Sequence, residues 1–269
     1  MDKTPKSNKT ALPVCEAGSI AFLFEDWEET MLWSYFQGHM GHAYTDNLQV
    51  PRSAQIIVGS FCFLAGMPEE TLVLNIPADI QSDILLMIPR QEAWCELIES
   101  VYQERAFKMK RYAIKKEPDV FDREQLRRYS KTLPKGYRLA AIDEAWYKET
   151  RNTEWSVDLT SQFSTYTDYE KHGIGVVAIY QGKLVAGASS YTVYNGGIEI
   201  EIDTAPEHRE KGLATACGAK LILECLERGI YPSWDAHDLR SVALAEKLGY
   251  HMDYSYTTYC IQTKKARYR

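Results

Sequence analysis

Residues 202–215 read IDTAPEHREKGLAT, and this stretch decides the fold of the chain. It begins inside the run IEIEIDT at residues 198–204, where isoleucines and acidic residues alternate as they do along a β-strand. The strand pattern stops at Pro206, a short basic turn follows, and a helical pattern starts around Gly212. The sequence therefore predicts a strand, a tight turn and a helix in immediate succession.

The turn between this strand and this helix has the chemistry of an anion site. The first backbone N–H groups of a helix have no intrahelical partners, and the helix dipole adds partial positive charge there. A glycine such as Gly212 lets a phosphate approach the backbone closely, and Arg209 and Lys211 add formal positive charge. We therefore expect an anionic, phosphate-bearing ligand at this turn.

Two motifs in the second half of the chain resemble the GNAT superfamily of acetyltransferases. Residues 209–214, REKGLA, match the R/Q-x-x-G-x-G/A signature of that family and follow the strand-end proline that is usual there. Residues 238–250, DLRSVALAEKLGY, resemble the family's closing helix, N-x-x-S/A-x-x-L-x-x-K-x-G-F/Y. The resemblance covers about residues 135–262 and is closest to the branch of zwittermicin A resistance protein-like acetyltransferases.

The resemblance implies acetyl-coenzyme A (acetyl-CoA) as co-substrate and no metal. In relatives the loop holds the coenzyme A pyrophosphate, and the preceding strand pairs with the pantetheine arm. The residues that this implies as cofactor-binding are Ile202, Asp203, Thr204, Arg209, Glu210, Lys211, Gly212, Leu213, Ala214, Thr215, Ser241 and Lys247.

Two positions depart from the family pattern. Asp238 stands where many relatives have asparagine, and a carboxylate near a pyrophosphate is repulsive unless it faces away. Ala245 stands where many relatives have a tyrosine that protonates the departing thiolate. Another group or water must then supply that proton, or the step needs no dedicated acid.

Acetylation of an amine requires a proton acceptor. An amine attacks only as the free base, and its pKa lies near that of lysine, about 10.4. Glu201 and Glu199 are the candidate catalytic bases, with Asp203 third, because they share one face of the predicted strand. Two other interpretations stay open: the acidic residues are solvated outward side chains, or Glu201 anchors a cationic substrate.

Other conspicuous side chains give weaker predictions. His208 could approach phosphate or lie exposed in a loop, and His237 could be catalytic or cap the last helix. The HMGH segment at residues 39–42 has loose metal-like spacing but no third ligand, so we expect no metal. Side chains that could line an acceptor pocket, or simply fill the core, are Ser189, Ser190, Tyr191, Tyr194 and Trp234.

The chain length of 269 residues suits two modest domains. Pro134-Lys135-Gly136 is a boundary signal, and we predict an N-terminal α/β domain at residues 1–130 and a GNAT domain at 131–269. In the second, the pattern predicts a mixed, mostly antiparallel sheet flanked by helices. The first half is predicted to contain helices near 27–37 and 91–105, a strand or hairpin at 53–65 and a strand at 71–76. It allows a degenerate copy of the same fold, or a wall of the acceptor cleft.

Composition limits the partners. The formal net charge of −6 argues against a nucleic-acid binder and fits either a cationic partner or simple solubility. Neither a secretory signal nor a run of about 18 apolar residues is present, so no membrane association is predicted. Six scattered cysteines without a CxxC pair are typical of a cytoplasmic protein. We expect a monomer or a homodimer.

These patterns together predict an N-acetyltransferase that moves the acetyl group of acetyl-CoA to a small-molecule amine. The alternatives are acetylation of a protein or peptide amine, and a non-catalytic regulator that binds coenzyme A.

Overall fold

The structure, a computed structural model, describes residues 10–78, 80 and 82–263, and forms two compact units. The first comprises Met1–Lys110 and Thr257–Arg269, and the second comprises Arg111–Tyr256. The predicted border at residue 130 falls inside helix α4 (Arg123–Lys131), which packs on helix α7 (Leu213–Glu227) of the second unit. The units therefore divide about 20 residues before that border.

The first unit is a sheet with helices packed on it. Its strands follow the order β1-β2-β3-β4-β5-β13, and every neighbouring pair is antiparallel except β4 with β5. The strands are β1 (Leu12–Pro13), β2 (His42–Thr45), β3 (Ser53–Val58), β4 (Phe61–Gly66), β5 (Ile84–Pro89) and the end of β13 (Met252–Gln262). The helices are α1 (Thr30–Phe36), α2 (Glu70–Leu74) and α3 (Glu92–Tyr102), with 3-10 helices at Ala17–Phe24 and Gln103–Arg105.

The strand predicted at residues 71–76 is wrong, because residues 71–74 lie in helix α2 and the segment contains no strand. Short apolar runs do not distinguish a strand from a buried helix by periodicity alone. Tertiary contacts favour the helix: Leu72 and Val73 are fully buried, and the Gln55 side chain donates to the carbonyl oxygens of Leu72 (2.9 Å) and Asn75 (3.1 Å). A distant glutamine thus satisfies carbonyl groups at the helix end.

The second unit has the predicted mixed, mostly antiparallel sheet, in the order β11-β10-β9-β8-β7. Only β10 and β11 are parallel. The strands are β7 (Tyr137–Ala141), β8 (Gly175–Tyr180), β9 (Lys183–Tyr194), β10 (Gly197–Thr204), β11 (Tyr231–Ser233) and β12 (Asp235–Ala236). Beside α4 and α7, the helices are α5 (Glu144–Thr150), α6 (Tyr166–His172) and α8 (Leu239–Lys247), with 3-10 helices at Val157–Leu159 and Pro206–His208.

The two units share one order of elements. Each contains a strand, helical segments, three antiparallel strands, a helix, a strand parallel to the third of these, a helix and a last strand. The first unit has two helical segments after its first strand and the second has three, and the second also contains the 3-10 helix Pro206–His208 and β12. Two strands cross the division: β6 (Ala106–Ile114) pairs at its end with β12 of the second unit, and the end of β13 pairs with β5 of the first. The first unit is therefore completed by a segment distant in sequence, whereas the second is one continuous stretch of chain.

Gly175 on β8 has no room for a side chain. A Cβ there would overlap the Tyr169 hydroxyl and would lie 2.6 Å from Ile142 Cδ1 and 2.7 Å from Ser189 Oγ. We expect Gly175→Ala to lower the free energy of unfolding by about 1–3 kcal/mol through overpacking, measured by urea denaturation. Gly18→Ala is the control, because nothing lies within 4 Å of its added Cβ. Equal stability of the two variants would contradict this account of the packing.

Candidate active site

The sheet of the second unit opens beside strand β10. The parallel pairing of β10 with β11 contains three residue pairs and ends at Glu199 and Ser233. Strand β10 continues to Thr204 along β9, whereas β12 pairs with β6 instead. In the part of the chain that the structure describes, residues 200–204 have no ladder on the β11 side. This edge of β10 therefore has no neighbouring strand among the described residues after Glu199.

Strand β10 has two different faces. Its isoleucines face helix α7, where Ile202 Cδ1 lies 3.0 Å from the position of a Cβ on Gly218. Its acidic residues share the other face with Ser189 and Gly187 of β9, which stand opposite Glu201 and Asp203. On this face a Cβ on Gly187 would meet Leu159, so the 3-10 helix Val157–Leu159 covers the acidic side.

Glu199 is buried, with 3% of its surface exposed, so it is not the solvated outward residue of one interpretation. It stands opposite Thr192 on β9 and Ser233 on β11, at the point where the strands part. Tyrosines surround it: burial and then, among other charges, that of Glu199 raise the pKa values of Tyr194 and Tyr250. This surrounding separates Glu199 from bulk water.

Glu201 is partly exposed and lies on the segment of β10 that has left β11. Burial raises the pKa of its carboxyl to about 8, and the charges of Asp158 and Asp203 add to the increase. The positive charge of Arg111 and the N–H of Ile202 act in the opposite direction. A carboxyl whose pKa lies near neutral pH can both accept and release a proton, as a general base must.

The raised pKa of Glu201 predicts how the stability of the protein depends on pH. A carboxyl whose pKa is about 8 in the folded chain, against an ordinary value of 4.5, destabilises the fold when it ionises. We therefore expect Glu201→Gln to stabilise the protein, with no gain below about pH 4.5, an increasing gain towards pH 8 and a constant gain above it. Melting temperatures of both proteins across this pH range measure the difference. A constant difference at every pH would contradict the raised pKa.

Sequence reasoning missed a second group of side chains, centred on Arg111 at the end of β6. The Arg111 and Asp235 side chains are 8% and 7% exposed, and Arg111 Nε donates to Asp235 Oδ1 over 2.6 Å. Arg111 Nη2 donates to the Asp235 carbonyl oxygen over 3.3 Å, and Nη1 lies 3.3 Å from His237 Nδ1. The Tyr256 hydroxyl donates to Asp235 Oδ2 over 2.7 Å. In the sequence, Arg111 is one cation in a charged stretch, without a distinguishing signal.

The loop before α7 leads into a helix start without a side-chain cap. Gly212 precedes the helix with φ +77° and offers no side chain as a cap, and the bond from Ala216 N–H to the Gly212 carbonyl oxygen (3.0 Å) closes the first turn. The N–H groups of this first turn therefore face outward. The basic side chains shape the loop, since Arg209 Nε donates to the Thr204 carbonyl oxygen (3.1 Å) and Lys211 Nζ to that of Glu207 (2.7 Å).

The two motifs of the sequence meet at this helix start. Lys247 Nζ, from the closing motif, lies 3.3 Å from Thr215 Oγ1 in the first turn of α7 and adds positive charge there. Asp238 instead caps helix α8, accepting from the N–H groups of Arg240 and Ser241, and thus faces its own helix. The Ser241 hydroxyl accepts from the Trp234 indole over 3.2 Å.

The other predicted site residues are distributed along the same strand, loop and helix. Leu213 and Thr204 are buried, Ile202, Asp203, Ala214 and Thr215 are buried or partly buried, and Arg209, Glu210, Lys211 and Gly212 are exposed. Asp203 Oδ1 accepts from the Thr204 N–H over 2.6 Å.

Several weaker candidates have structural partners. The His208 ring lies 2.8 Å from the Tyr137 hydroxyl and packs against that ring, which fixes the loop to β7. Burial, and then Arg111, lowers the pKa of His237, and the cap of α8 is Asp238 rather than this histidine. Ser189 bonds to Tyr169 over 2.8 Å in the interior.

Neither a membrane-spanning helix nor a group of metal ligands is found among the described residues. None of the described helices is both long and apolar enough to span a bilayer. Among the same residues, histidine, cysteine, aspartate and glutamate form no group of three or more that could hold a metal ion.

Comparisons with known proteins agree with this fold. The sequence model of the GNAT acetyltransferase family matches residues 21–259. The chain is 28% identical over 210 residues to the uncharacterized N-acetyltransferase YdfB of Bacillus subtilis, covering 73% of this chain and 71% of that protein. It is 41% identical to a GCN5-related N-acetyltransferase-like protein from Streptococcus suis, with a TM-score of 0.86 over 91% of this chain and 97% of that one.

A more distant likeness also covers most of the chain. A tandem GNAT protein from the clavulanic acid biosynthesis pathway has a TM-score of 0.56 at 9% identity, over 95% of this chain and 99% of that one. At this identity the likeness concerns the fold alone. With the family match and the two relatives above, the chain belongs to the GNAT acetyltransferase family and is an acyltransferase of the N-acetyltransferase type.

Proposed function

We propose that this chain transfers the acetyl group of acetyl-CoA directly to the amine of a small molecule. The observation that carries the proposal is the departure of β10 from β11 after Glu199. This departure leaves Glu201 beside a free strand edge, and the same strand leads directly to the open start of α7. Acetyl-CoA is the co-substrate typical of the family.

The residues present fit this co-substrate. The start of α7 offers backbone N–H groups without a side-chain cap, Gly212 places no Cβ there, and Lys247 adds a cation at the first turn. These features suit a diphosphate. The free edge of β10 around Ile202 and Thr204 suits an amide-bearing arm, because extended backbone pairs with amide groups. When bound, acetyl-CoA supplies the activated acetyl carbon.

In this proposal Glu201 accepts the proton of the attacking amine, directly or through water. Its partly exposed carboxyl can meet an acceptor, and its ionised form attracts an ammonium group. Glu199 remains the second candidate, but its burial among tyrosines favours Glu201 as the group that meets the substrate. Ala245 is fully buried, so the departing thiolate receives its proton from water or another group, or needs none.

The acidic side of β10 favours a cationic amine. The resemblance to zwittermicin A resistance protein-like enzymes favours an antibiotic-like or other metabolite amine. We also propose a cytoplasmic monomer or homodimer. The release of the coenzyme A thiol from acetyl-CoA tests which class of acceptor the protein uses. It is measured with small primary amines, with peptides that have a free amino terminus and without an acceptor. Turnover of small amines supports the proposal, turnover of peptides alone supports a peptide acetyltransferase, and binding without turnover supports a regulator.

We further propose that the first unit is a GNAT-like half without its own coenzyme A site. Its order of elements repeats that of the second unit, in keeping with the likeness to a tandem GNAT protein. In this unit β4 and β5 stay paired through Leu64 and Pro89, and Glu69 and Glu70 precede and begin the following helix. Equilibrium dialysis tests this proposal, with one acetyl-CoA expected per chain.

A further inference from the structure

Lys247 has a second contact beside the start of α7. Its Nζ lies 3.3 Å from Thr215 Oγ1 in the first turn of that helix, and it also lies over the ring of Tyr129, 5.4 Å from the ring centroid. A cation within about 6 Å of an aromatic face is attracted to it electrostatically. The ammonium group is therefore held between a hydroxyl and an aromatic ring.

Tyr129 is brought to this place by helix α4, which packs on α7. Leu126 is the buried residue of α4, with 1% of its surface exposed. Tyr129 follows it by three positions, so the two side chains lie on the same face of the helix. Tyr129 itself is partly buried. The ring that Lys247 contacts thus belongs to the packed face of α4.

A lysine at this place needs partners that orient it. Lys247 is exposed at the end of helix α8, and a lysine side chain is a compact ammonium on a flexible four-carbon stem. Thr215 and Tyr129 offer a hydroxyl and a ring face rather than a carboxylate, so they orient the ammonium without forming an ion pair with it. An ammonium has three N–H donors, and the bond to Thr215 uses one of them.

We propose that Tyr129 is a positioning residue for the co-substrate, because its ring places the Lys247 ammonium where it meets the phosphate groups of coenzyme A. The inference rests on the part of the proposed function in which the start of α7 binds acetyl-CoA. It gives a role to a residue of α4, a helix that contains neither of the two sequence motifs.

Equilibrium dialysis with coenzyme A tests this inference in wild type and in variants. Tyr129→Phe keeps the ring and should bind coenzyme A as wild type does. Tyr129→Leu removes the ring and should increase the dissociation constant about 2–5-fold, the effect of losing an exposed cation–π contact. Lys247→Met removes the cation itself and should increase the dissociation constant about tenfold.

The double variant Tyr129→Leu/Lys247→Met distinguishes positioning from a merely structural role. If Tyr129 acts through Lys247, the double variant should bind coenzyme A no more weakly than Lys247→Met alone, whereas two independent roles would give additive losses of binding free energy. Additive losses would overturn the inference, as would wild-type affinity in Tyr129→Leu or an equal loss of affinity in Tyr129→Phe.

Tyr129→Met is a second variant without the ring, for use if the leucine variant does not fold, because methionine adapts to irregular space. Circular dichroism of each protein without ligand verifies the fold. Failure of the proposed co-substrate site is a different result: wild type would then bind no coenzyme A, which would overturn both proposals. Failure of the inference alone would leave the wild type binding coenzyme A and the variants without the ring unaffected.

Discussion

Glu201→Gln should lower kcat about 10²–10⁴-fold, the usual contribution of a general base. The amide keeps the shape of the side chain and resembles the protonated carboxyl, which the raised pKa favours in the folded protein. The expected loss is therefore one of proton acceptance rather than of folding. Thiol release from acetyl-CoA with a primary amine as acceptor, followed from pH 6 to 9, measures this loss.

The pH dependence of kcat/KM provides a second test of the role of Glu201. Wild-type kcat/KM should increase with pH through a step near the Glu201 pKa of about 8, because only the ionised carboxyl accepts a proton. This step should be missing in the glutamine variant. Two acceptors whose amines differ in pKa distinguish the ionisation of Glu201 from that of the substrate, because only the substrate's step moves with the amine.

Glu199→Gln is the matched control, since it makes the same change two residues away on the same face of β10. If kcat falls in Glu199→Gln and stays normal in Glu201→Gln, then Glu199 rather than Glu201 accepts the proton. Normal rates in both variants would remove the acidic face of β10 from proton transfer.

Gly212→Glu should abolish the stabilisation of the protein by acetyl-CoA. A ligand at 100 times its dissociation constant stabilises the native state by about 2.7 kcal/mol, which increases the melting temperature by several degrees. The substitution places a carboxylate where the diphosphate would bind and forces a side chain onto a backbone with φ +77°. A negative charge is itself compatible with a helix start, so the loss should come from ligand repulsion.

Gly229→Glu provides the control for this experiment. Gly229 follows the other end of the same helix with φ +69°, and nothing lies within 4 Å of an added Cβ, as at Gly212. The charge change and the backbone strain are thus similar, and the stabilisation by acetyl-CoA should remain. Equal stabilisation in both variants would mean that the loop before α7 does not hold the co-substrate.

The second unit was largely predictable from sequence because its signals are local. The alternation along β10 and the glycine before α7 each depend on a few neighbouring residues. The N-cap of α8 is Asp238 rather than His237, the residue suggested from sequence. Backbone sterics and capping act over the same short distances, so the strand, the loop and both helices follow from the residues themselves. The approach of Lys247 to Thr215 follows from packing those helices.

Features that depend on distant partners were not predictable. Arg111 meets Asp235 across 124 positions of the chain, and nothing near either residue indicates the other. Residues 70–74 form a helix because, among other contacts, Gln55 satisfies the carbonyl oxygens of Leu72 and Asn75 at its end. The raised pKa of Glu201 likewise comes from its burial in the fold and then from the charge of Asp158, which the fold brings towards it. Tertiary contacts that override local preference leave no local pattern.

The pairing of β5 with the distant strand β13 has a consequence for synthesis on the ribosome. Strand β5 pairs with residues 259–262 of β13, which are made about 150 residues after the rest of the first unit ends at Lys110. Because translation adds about 5–20 residues per second, roughly 8–30 seconds pass before β5 can pair with β13. An open, apolar edge strand invites pairing with other chains during that time. Slower translation of the second half should therefore reduce the yield of folded protein, and chaperone capacity should restore it.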